Sequence, residues 1–173
     1  ETGIPEDRFK ALVVGRWADG SPIVKSPIAH DPALATIPAA NDFGYRSDPN
    51  GERCPIGAHI RRANPRDSLG DDPRESLRVT SRHRILRRGR SYHQGDERGL
   101  HFICLNADIA RQFEFIQQNW INDATFGGLD GEDDPLVGAR VGRAGAGCVT
   151  LPPPAEHRVH ARARGLAPFV TVR

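Results

Sequence analysis

Residues 51–66 read GERCPIGAHIRRANPR, a stretch in which one histidine is set among small and apolar residues and is followed by arginines. The histidine is His59, its neighbours are Ile56, Gly57, Ala58 and Ile60, and the arginines are Arg61, Arg62 and Arg66. Residues 54–62 predict a compact helical turn, because Pro55 suits the first position of a helix. The segment therefore places an imidazole beside an apolar surface and close to several guanidinium groups.

This combination of residue types matches what a haem group requires. Its iron takes an imidazole ligand, its macrocycle packs on a flat apolar surface, and its propionates pair with cations. On residue types alone, however, a lone histidine is more often a hydrogen-bonded core or surface residue. The rest of the sequence has to decide between the two interpretations.

The residues that follow predict strands and helices without a regular alternation, which favours an α+β fold. Residues 84–92 predict a strand that enters a turn. Short apolar runs predict strands at residues 100–106 and 168–172, and the strand at 100–106 is expected to be buried. Residues 67–82 are charged and aperiodic, so we expect a loop there.

Apolar spacing predicts two helices. The first covers residues 5–17 and places Phe9, Leu12 and Val13 on one face. The second begins after Asp108, which is suited to cap it, and its apolar residues are spaced by four, three and four positions. These residues are Ile109, Phe113, Ile116 and Trp120. Residues 19–50 lack periodicity, and such a long irregular segment is typically functional or packs on another part of the protein.

Composition narrows the class of protein. With 173 residues, 38% of them hydrophobic, the chain can bury one core. The 22 acidic residues offset the 24 basic ones, no nucleic-acid-binding motif is present, and no run of apolar residues is long enough for a membrane span. Three widely spaced cysteines, Cys54, Cys104 and Cys148, form neither a disulfide framework nor a zinc pattern. They favour a reducing compartment and hence a cytoplasmic location. A location inside a protein compartment stays open as an alternative.

Four ordered motifs resemble the dye-decolourising peroxidase family of haem enzymes. The pattern CP-x-x-AHIR-x-x-NPR resembles the family's haem-ligand segment, and LVVGRWADGSPI at 12–23 resembles the segment upstream of it. RILRRGRSY at 84–92 resembles the segment with the distal arginine, and RGLHFICLNADIARQFEFIQQNW at 98–120 resembles the strand and helix that follow. The resemblance covers most of residues 12–173. It implies the C-terminal half of such a peroxidase.

The family fold has two ferredoxin-like α+β halves of the dimeric α+β barrel type, with haem b between them. We accordingly divide the chain into an N-terminal helix with an irregular wrapping segment, residues 1–50, and a haem-binding α+β domain, residues 51–173. The resemblance implies that His59 is the proximal ligand of the iron and that Arg66 and Asn64 lie near a propionate. A carboxylate partner for His59 is expected among residues 130–134, where we favour Asp134.

The resemblance also implies a peroxide side of the haem. Arg87 matches the distal arginine, a permanent cation suited to holding peroxide and stabilising charge as its O–O bond breaks. Arg88 is the rival, because a slip of one residue in the strand exchanges the two. Leu100 and Phe102 match the apolar residues that line the distal pocket.

The family's distal acid lies in a GxxDG motif upstream of the ligand histidine, and nothing before His59 fits that motif. The stretch GGLDG at 127–131 does fit, but it follows His59 and is treated as a chance match. We therefore expect a separate polypeptide to supply the N-terminal half with its distal Asp. Hydrogen peroxide and a small-molecule reductant, such as a dye or a phenol, are the implied substrates. A haem-binding carrier or sensor without catalysis is the alternative.

Overall fold

The structure is a computed structural model that describes residues 3–138, 146–151 and 159–164. Its helices and antiparallel strands do not alternate regularly, so the predicted α+β class is confirmed. The helices are α1 (Glu6–Val14), α2 (Pro32–Thr36), α3 (His59–Ala63) and α4 (Pro73–Arg82). The strands are β1 (Leu86–Gln94), β2 (Glu97–Leu105), β3 (Ala146–Leu151) and β4 (Val159–Arg164). A helix with π-type turns at Ala110–Glu114 and Gln117–Ile121 follows β2, and single 3-10 turns lie at Pro38–Asn41 and Phe126–Gly128.

Helix α1 forms where the apolar spacing predicts it and leads directly to the His59 segment. Leu12 and Val13 are buried on its inner face. Gly15 ends the helix in the left-handed conformation, with φ of 94°. A Cβ atom at Gly15 would lie 2.3 Å from Cγ1 of Ile60, so a residue with a side chain could not fit there. This close approach fixes the end of α1 against the start of α3.

Two hydrophobic clusters form the core. The first joins α1 and the irregular segment to the residues before His59, and it also takes in Leu151 of β3. The second lies around Ile116, Trp120, Ile121 and Phe126. Helix α3 therefore lies between two packed regions, and the predicted domain boundary after residue 50 stays a prediction. None of the described helices has the length and apolar composition needed to cross a membrane.

The strands pair as two antiparallel hairpins, β1 with β2 and β3 with β4. Strands are confirmed near residues 84–92 and 100–106, but the prediction that the second is buried is wrong. Leu100, Phe102 and Ile103 are 53%, 52% and 58% exposed. The reason is that the described elements leave most of both faces of the β1–β2 hairpin uncovered, although the Phe102 ring contacts that of Phe113 with the ring centres 6.4 Å apart. The predicted strand at 168–172 lies outside the described residues.

Helix α4 replaces the loop that we predicted over residues 67–82. Asp72 caps it by accepting a hydrogen bond from the Arg74 N–H at 2.8 Å, and Pro73 occupies its first turn. Its buried face is polar, because the hydroxyls of Ser76 and Thr80 both donate to the carbonyl of Arg66. A helix that buries hydroxyl groups has no periodic pattern of apolar residues, so the sequence did not indicate α4.

Two further expectations about helices need correction. Helix α3 begins at His59 rather than at Pro55, because Pro55 starts a separate turn in which its carbonyl accepts the Ala58 N–H at 3.0 Å. The helix after Asp108 is confirmed, and Asp108 accepts the Arg111 N–H at 3.0 Å. Ile109, however, is 60% exposed. The π-type turns rotate the buried face away from it.

Candidate functional site

His59 and Asp134 form the centre of the candidate site. His59 is the first residue of α3, and its Nδ1 lies 2.9 Å from Oδ2 of Asp134. About a third of the His59 side chain is exposed, whereas the Asp134 side chain is fully buried. Because a carboxylate can only accept, Nδ1 carries the proton, and Nε2 keeps its lone pair for a ligand. No described residue makes a hydrogen bond to Nε2. The acid favoured from the sequence is thus the one that contacts His59.

Asp134 is held in place by backbone groups on both sides. Its Oδ1 accepts the N–H groups of Leu136 and Val137, each at 2.9 Å, and its own N–H donates to the carbonyl of Ile121 at 3.0 Å. Burial raises the pKa of Asp134, but the hydrogen bond from His59 together with the two backbone amides outweighs it and holds the pKa below its usual value. Asp134 is therefore an ionised acceptor at neutral pH.

Arg61 and Arg62 of α3 face the interior, so they are not the arginines of this segment that could pair with propionates. Arg61 is 3% exposed and donates to the carboxylate of Asp48 and to the carbonyl of Cys54. Arg62 is fully buried and, among the described residues, donates only to backbone carbonyls. Both guanidinium groups tie α3 to neighbouring segments and are not available to a ligand.

Arg66 and Arg16 form a pair of cations beside Phe43. The guanidinium of Arg66 lies 3.8 Å from the centre of the Phe43 ring and donates to the carbonyls of Asn41 and Phe43, each at 2.8 Å. Arg16 donates to Oδ1 of Asn41 and to the carbonyl of Gly20, each at 2.6 Å. The tight turn over GRWADG thus directs Arg16 toward Arg66. Arg16 lies in the GRWADG part of the motif at residues 12–23, but no pattern in the sequence marks it as a residue that binds a ligand.

The charge around this pair is not neutralised by contact with carboxylates. Burial lowers the pKa of Arg16, and the positive charges of Arg66 and Arg87 lower it further. Burial and the charge of Arg84 likewise lower the pKa of Arg66. Within the described part of the chain, neither Arg16, Arg66 nor Arg87 forms an ion pair. Several guanidinium groups therefore share a region that would favour anionic oxygens.

The register of the β1–β2 hairpin separates Arg87 from Arg88. Residues directly opposite each other share a face, and Arg87 is opposite Cys104, while Gly89 is opposite Phe102. Arg87 consequently shares a face with Phe102 and with Leu100, which is opposite Ser91. Arg88 is opposite Ile103, on the other face. Arg87, and not Arg88, therefore lies on the face that carries Leu100 and Phe102. Its role as the distal arginine stays a prediction.

The same face of the hairpin is open beside its apolar side chains. A Cβ at Gly89 would lie 3.1 Å from Cδ2 of Leu100, so the Leu100 side chain lies directly over the backbone of Gly89. Asn64 ends α3, where its N–H donates to the carbonyl of Ile60 at 3.1 Å.

A cavity of about 360 Å³ is lined by Tyr45, Ile56, Leu69 and Phe126 among others, and His59 is not among its lining residues. His59 and the hairpin thus offer open surfaces rather than an enclosed pocket.

The residues present fit a haem group. His59 offers one oriented nitrogen donor backed by a buried carboxylate, which is the arrangement typical of metal-bound histidine. The guanidinium groups suit propionates, and the exposed face with Leu100 and Phe102 suits a macrocycle. An open surface is expected when the second wall of a site comes from another part of a protein.

Comparisons with known proteins agree with this arrangement. Residues 13–152 match the family described as "Dyp-type peroxidase, C-terminal". The chain is 34% identical over 157 residues to the multifunctional dye peroxidase DyP2 of Amycolatopsis sp., a match that covers 79% of this chain and 32% of that protein. Its fold is similar to that of a DyP-type peroxidase from Anabaena sp., with a TM-score of 0.77 and 30% identity over 94% of this chain and 35% of the other.

A second solved structure, a dye-decolorizing peroxidase in complex with 2,6-dimethoxyphenol, has a TM-score of 0.72 and 30% identity. That match covers 90% of this chain and 37% of the other. The chain therefore spans about a third of the length of the relatives that it matches.

Proposed function

The chain belongs to the dye-decolourising peroxidase family and has the fold of its C-terminal, ferredoxin-like α+β part, and from this premise we propose that it binds haem b through Nε2 of His59. We propose further that it forms the proximal side and part of the peroxide side of a peroxidase. The observation that carries the proposal is the contact between His59 and Asp134. It leaves a single ring nitrogen available and fixes the direction in which that nitrogen points.

Each of the proposed site residues would have its own role. Haem, when bound, supplies the iron that exchanges electrons with hydrogen peroxide and with the reductant. Asp134 accepts the Nδ1–H of His59, which fixes the tautomer and makes Nε2 a stronger donor. Arg66 and Arg16 hold the propionates and so set the position of the macrocycle. Arg87 holds the peroxide and stabilises the negative charge that develops on its leaving oxygen.

Two similar proteins indicate the class of reductant. A dye peroxidase and a structure with a dimethoxyphenol are both similar to this chain. We therefore propose dyes and phenols as the one-electron donors. The alternative is a haem carrier or sensor that binds haem through His59 without catalysis. Peroxide-dependent dye oxidation by the assembled, haem-loaded protein separates the two proposals.

Haem retention tests the proposed role of Asp134. Asp134→Asn keeps the shape of the side chain but removes its charge, so the imidazole loses basicity and Nε2 binds iron less strongly. We expect haem to dissociate on the order of 10–100-fold faster, the usual cost of losing such a partner. The rate is measured as the loss of the Soret band when an excess of apomyoglobin captures the released haem. Asp133→Asn, which changes the adjacent acid, should leave the rate unchanged. Equal rates in all three proteins would contradict the role.

We also propose that a separate polypeptide carrying GxxDG covers the β1–β2 hairpin and completes the site. The support is the exposure of apolar side chains on both faces of the hairpin, which soluble monomers rarely tolerate over large areas. Native purification should yield a second chain with GxxDG in a complex of defined stoichiometry, identified by mass spectrometry. A monodisperse, haem-loaded monomer of this chain alone would refute the proposal.

A further inference from the structure

Arg62 is a fully buried cation that contacts no carboxylate within the described residues. Its NH1 group donates to the carbonyls of Trp120 and Asp123, each at 2.9 Å, and its NH2 group donates to the carbonyl of Glu132. The guanidinium also lies 5.3 Å from the centre of the Phe126 ring. One side chain of α3 thus joins several points of the segment that runs from residue 120 to residue 132.

Those carbonyls need donors for a physical reason. Trp120 lies in the last turn of the π-type helix, where carbonyls have no partner within the helix. Asp123 and Glu132 lie at the two ends of the loop that follows, and the Glu132 N–H donates across it to Ala124 at 3.2 Å. Removing the guanidinium would take away the hydrogen bonds that it donates at both ends of this loop.

The same segment leads directly to Asp134. Asp134 is two residues after Glu132, and its N–H donates to the carbonyl of Ile121, the residue next to Trp120. The negative charges of Asp134 and Glu132 also act on Arg62, counteracting the lowering of its pKa that burial causes. Arg62 therefore holds the backbone on both sides of the hydrogen bond that fixes Asp134.

We propose that Arg62 is a positioning residue that holds Asp134 against Nδ1 of His59. His59 and Arg62 lie three positions apart on α3, so one short helix carries both the imidazole and the group that fixes its carboxylate partner. Any shift of α3 moves the two together and preserves the contact between His59 and Asp134. The proposal rests on the proposed function for its consequence, because the contact matters for haem only if His59 is the ligand.

Arg61 provides a matched control. It is adjacent to Arg62 on α3 and nearly as buried, but it donates to Asp48 and to the carbonyl of Cys54 on the other side of the helix. Arg61→Lys and Arg62→Lys both keep a positive charge and shorten the reach of the donors. A purely structural role for both arginines would give the two variants similar effects on the His59–Asp134 contact.

The test is the exchange rate of the His59 Nδ1–H with solvent, measured by proton NMR on the full protein prepared without haem. We expect Arg62→Lys to accelerate this exchange by about tenfold or more, the scale on which such supporting contacts act, and Arg61→Lys to leave it within about twofold. The Asp134→Asn variant gives the exchange rate of the Nδ1–H when its contact with residue 134 is weakened. Equal acceleration in both lysine variants, or none in Arg62→Lys while Asp134→Asn exchanges fast, would overturn the proposal.

The unmodified protein gives a second measurement in case Arg62→Lys does not fold. If Arg62 holds the segment, the Nδ1–H of His59 and the amide N–H groups of Glu132 and Asp134 become exposed in the same opening event. Their protection factors should agree within about threefold, since exchange follows the local opening free energy. An Nδ1–H that exchanges more than about tenfold faster than both amides would show that the imidazole moves independently, and would refute the proposal.

The haem-loaded protein separates this inference from the proposed function. Arg62→Lys should release haem faster than the unmodified protein does, as Asp134→Asn does. If haem is not bound through His59 at all, the proposed function fails. The exchange measurements without haem still decide whether Arg62 positions Asp134.

Discussion

Replacing His59 with glycine will remove the proposed iron ligand, and this is the largest effect we expect from any single substitution. Loss of the Asp134 carboxylate, which contacts His59 but not the iron, is expected to speed haem dissociation by about 10–100-fold. Loss of the proposed ligand itself should therefore weaken haem binding by more than about 100-fold. Haemin titration followed at the Soret band measures the change, and peroxide-dependent dye oxidation should fall below detection. Free imidazole should restore both signals in His59→Gly, because it can enter the space left by the side chain.

The fold should survive this substitution. His59 is partly exposed and lies at the start of a short helix, where the low helix propensity of glycine by itself costs about 1 kcal/mol. Asp134 keeps its two amide donors from Leu136 and Val137. His101→Gly, on exposed β2, serves as the control and should bind haem normally. Unchanged haem binding in His59→Gly would show that this imidazole is not the ligand.

Replacing Arg87 with leucine will slow the reaction with hydrogen peroxide in the assembled, haem-loaded protein. A positioned donor that stabilises developing negative charge is worth about 10²–10³ in rate, and we expect a loss of that size. Stopped-flow recording of the Soret band after mixing with peroxide gives the rate constant. Haem binding itself should change little, because Arg87 is not assigned to the iron or to the macrocycle.

Arg88→Leu is the matched control for this prediction. It changes the neighbouring arginine on the same strand, but Arg88 lies opposite Ile103 on the other face of the hairpin. We expect the peroxide rate to stay within about threefold of the unmodified value, as is usual for substitutions that touch no reacting group. A large loss in Arg88→Leu with none in Arg87→Leu would reverse the assignment.

The segment around His59 could be interpreted from sequence because its information is local. An imidazole among small apolar residues, followed by NPR, with one further motif before it and two after it, is enough to identify the family. Helix α1, both strands of the first hairpin and the capping role of Asp108 were predictable for the same reason, since short-range spacing and capping chemistry determine them. The candidates for the partner of His59 could be narrowed to residues 130–134, because few acidic residues occur elsewhere in the Gly-rich region.

Other features were hidden because they depend on what lies across space. Helix α4 buries Ser76 and Thr80 against the carbonyl of Arg66, so its inner face has no apolar signature. The burial of β2 was overestimated, because an apolar strand is buried only if another element covers it. Arg61, Arg62 and Arg66 are the same residue type within six positions, and only their directions from the backbone distinguish interior donors from cations near the surface.

The sequence alone thus determined the family, the α+β class and the identity of the histidine, because each is encoded in residues close together along the chain. The tertiary structure alone decided which acid contacts His59, which arginine shares a face with Leu100 and Phe102, and which arginines are buried. These choices depend on β-strand register and on contacts between residues as far apart as His59 and Asp134, or Arg62 and Glu132. Such contacts form only when the chain is folded, so no local pattern specifies them.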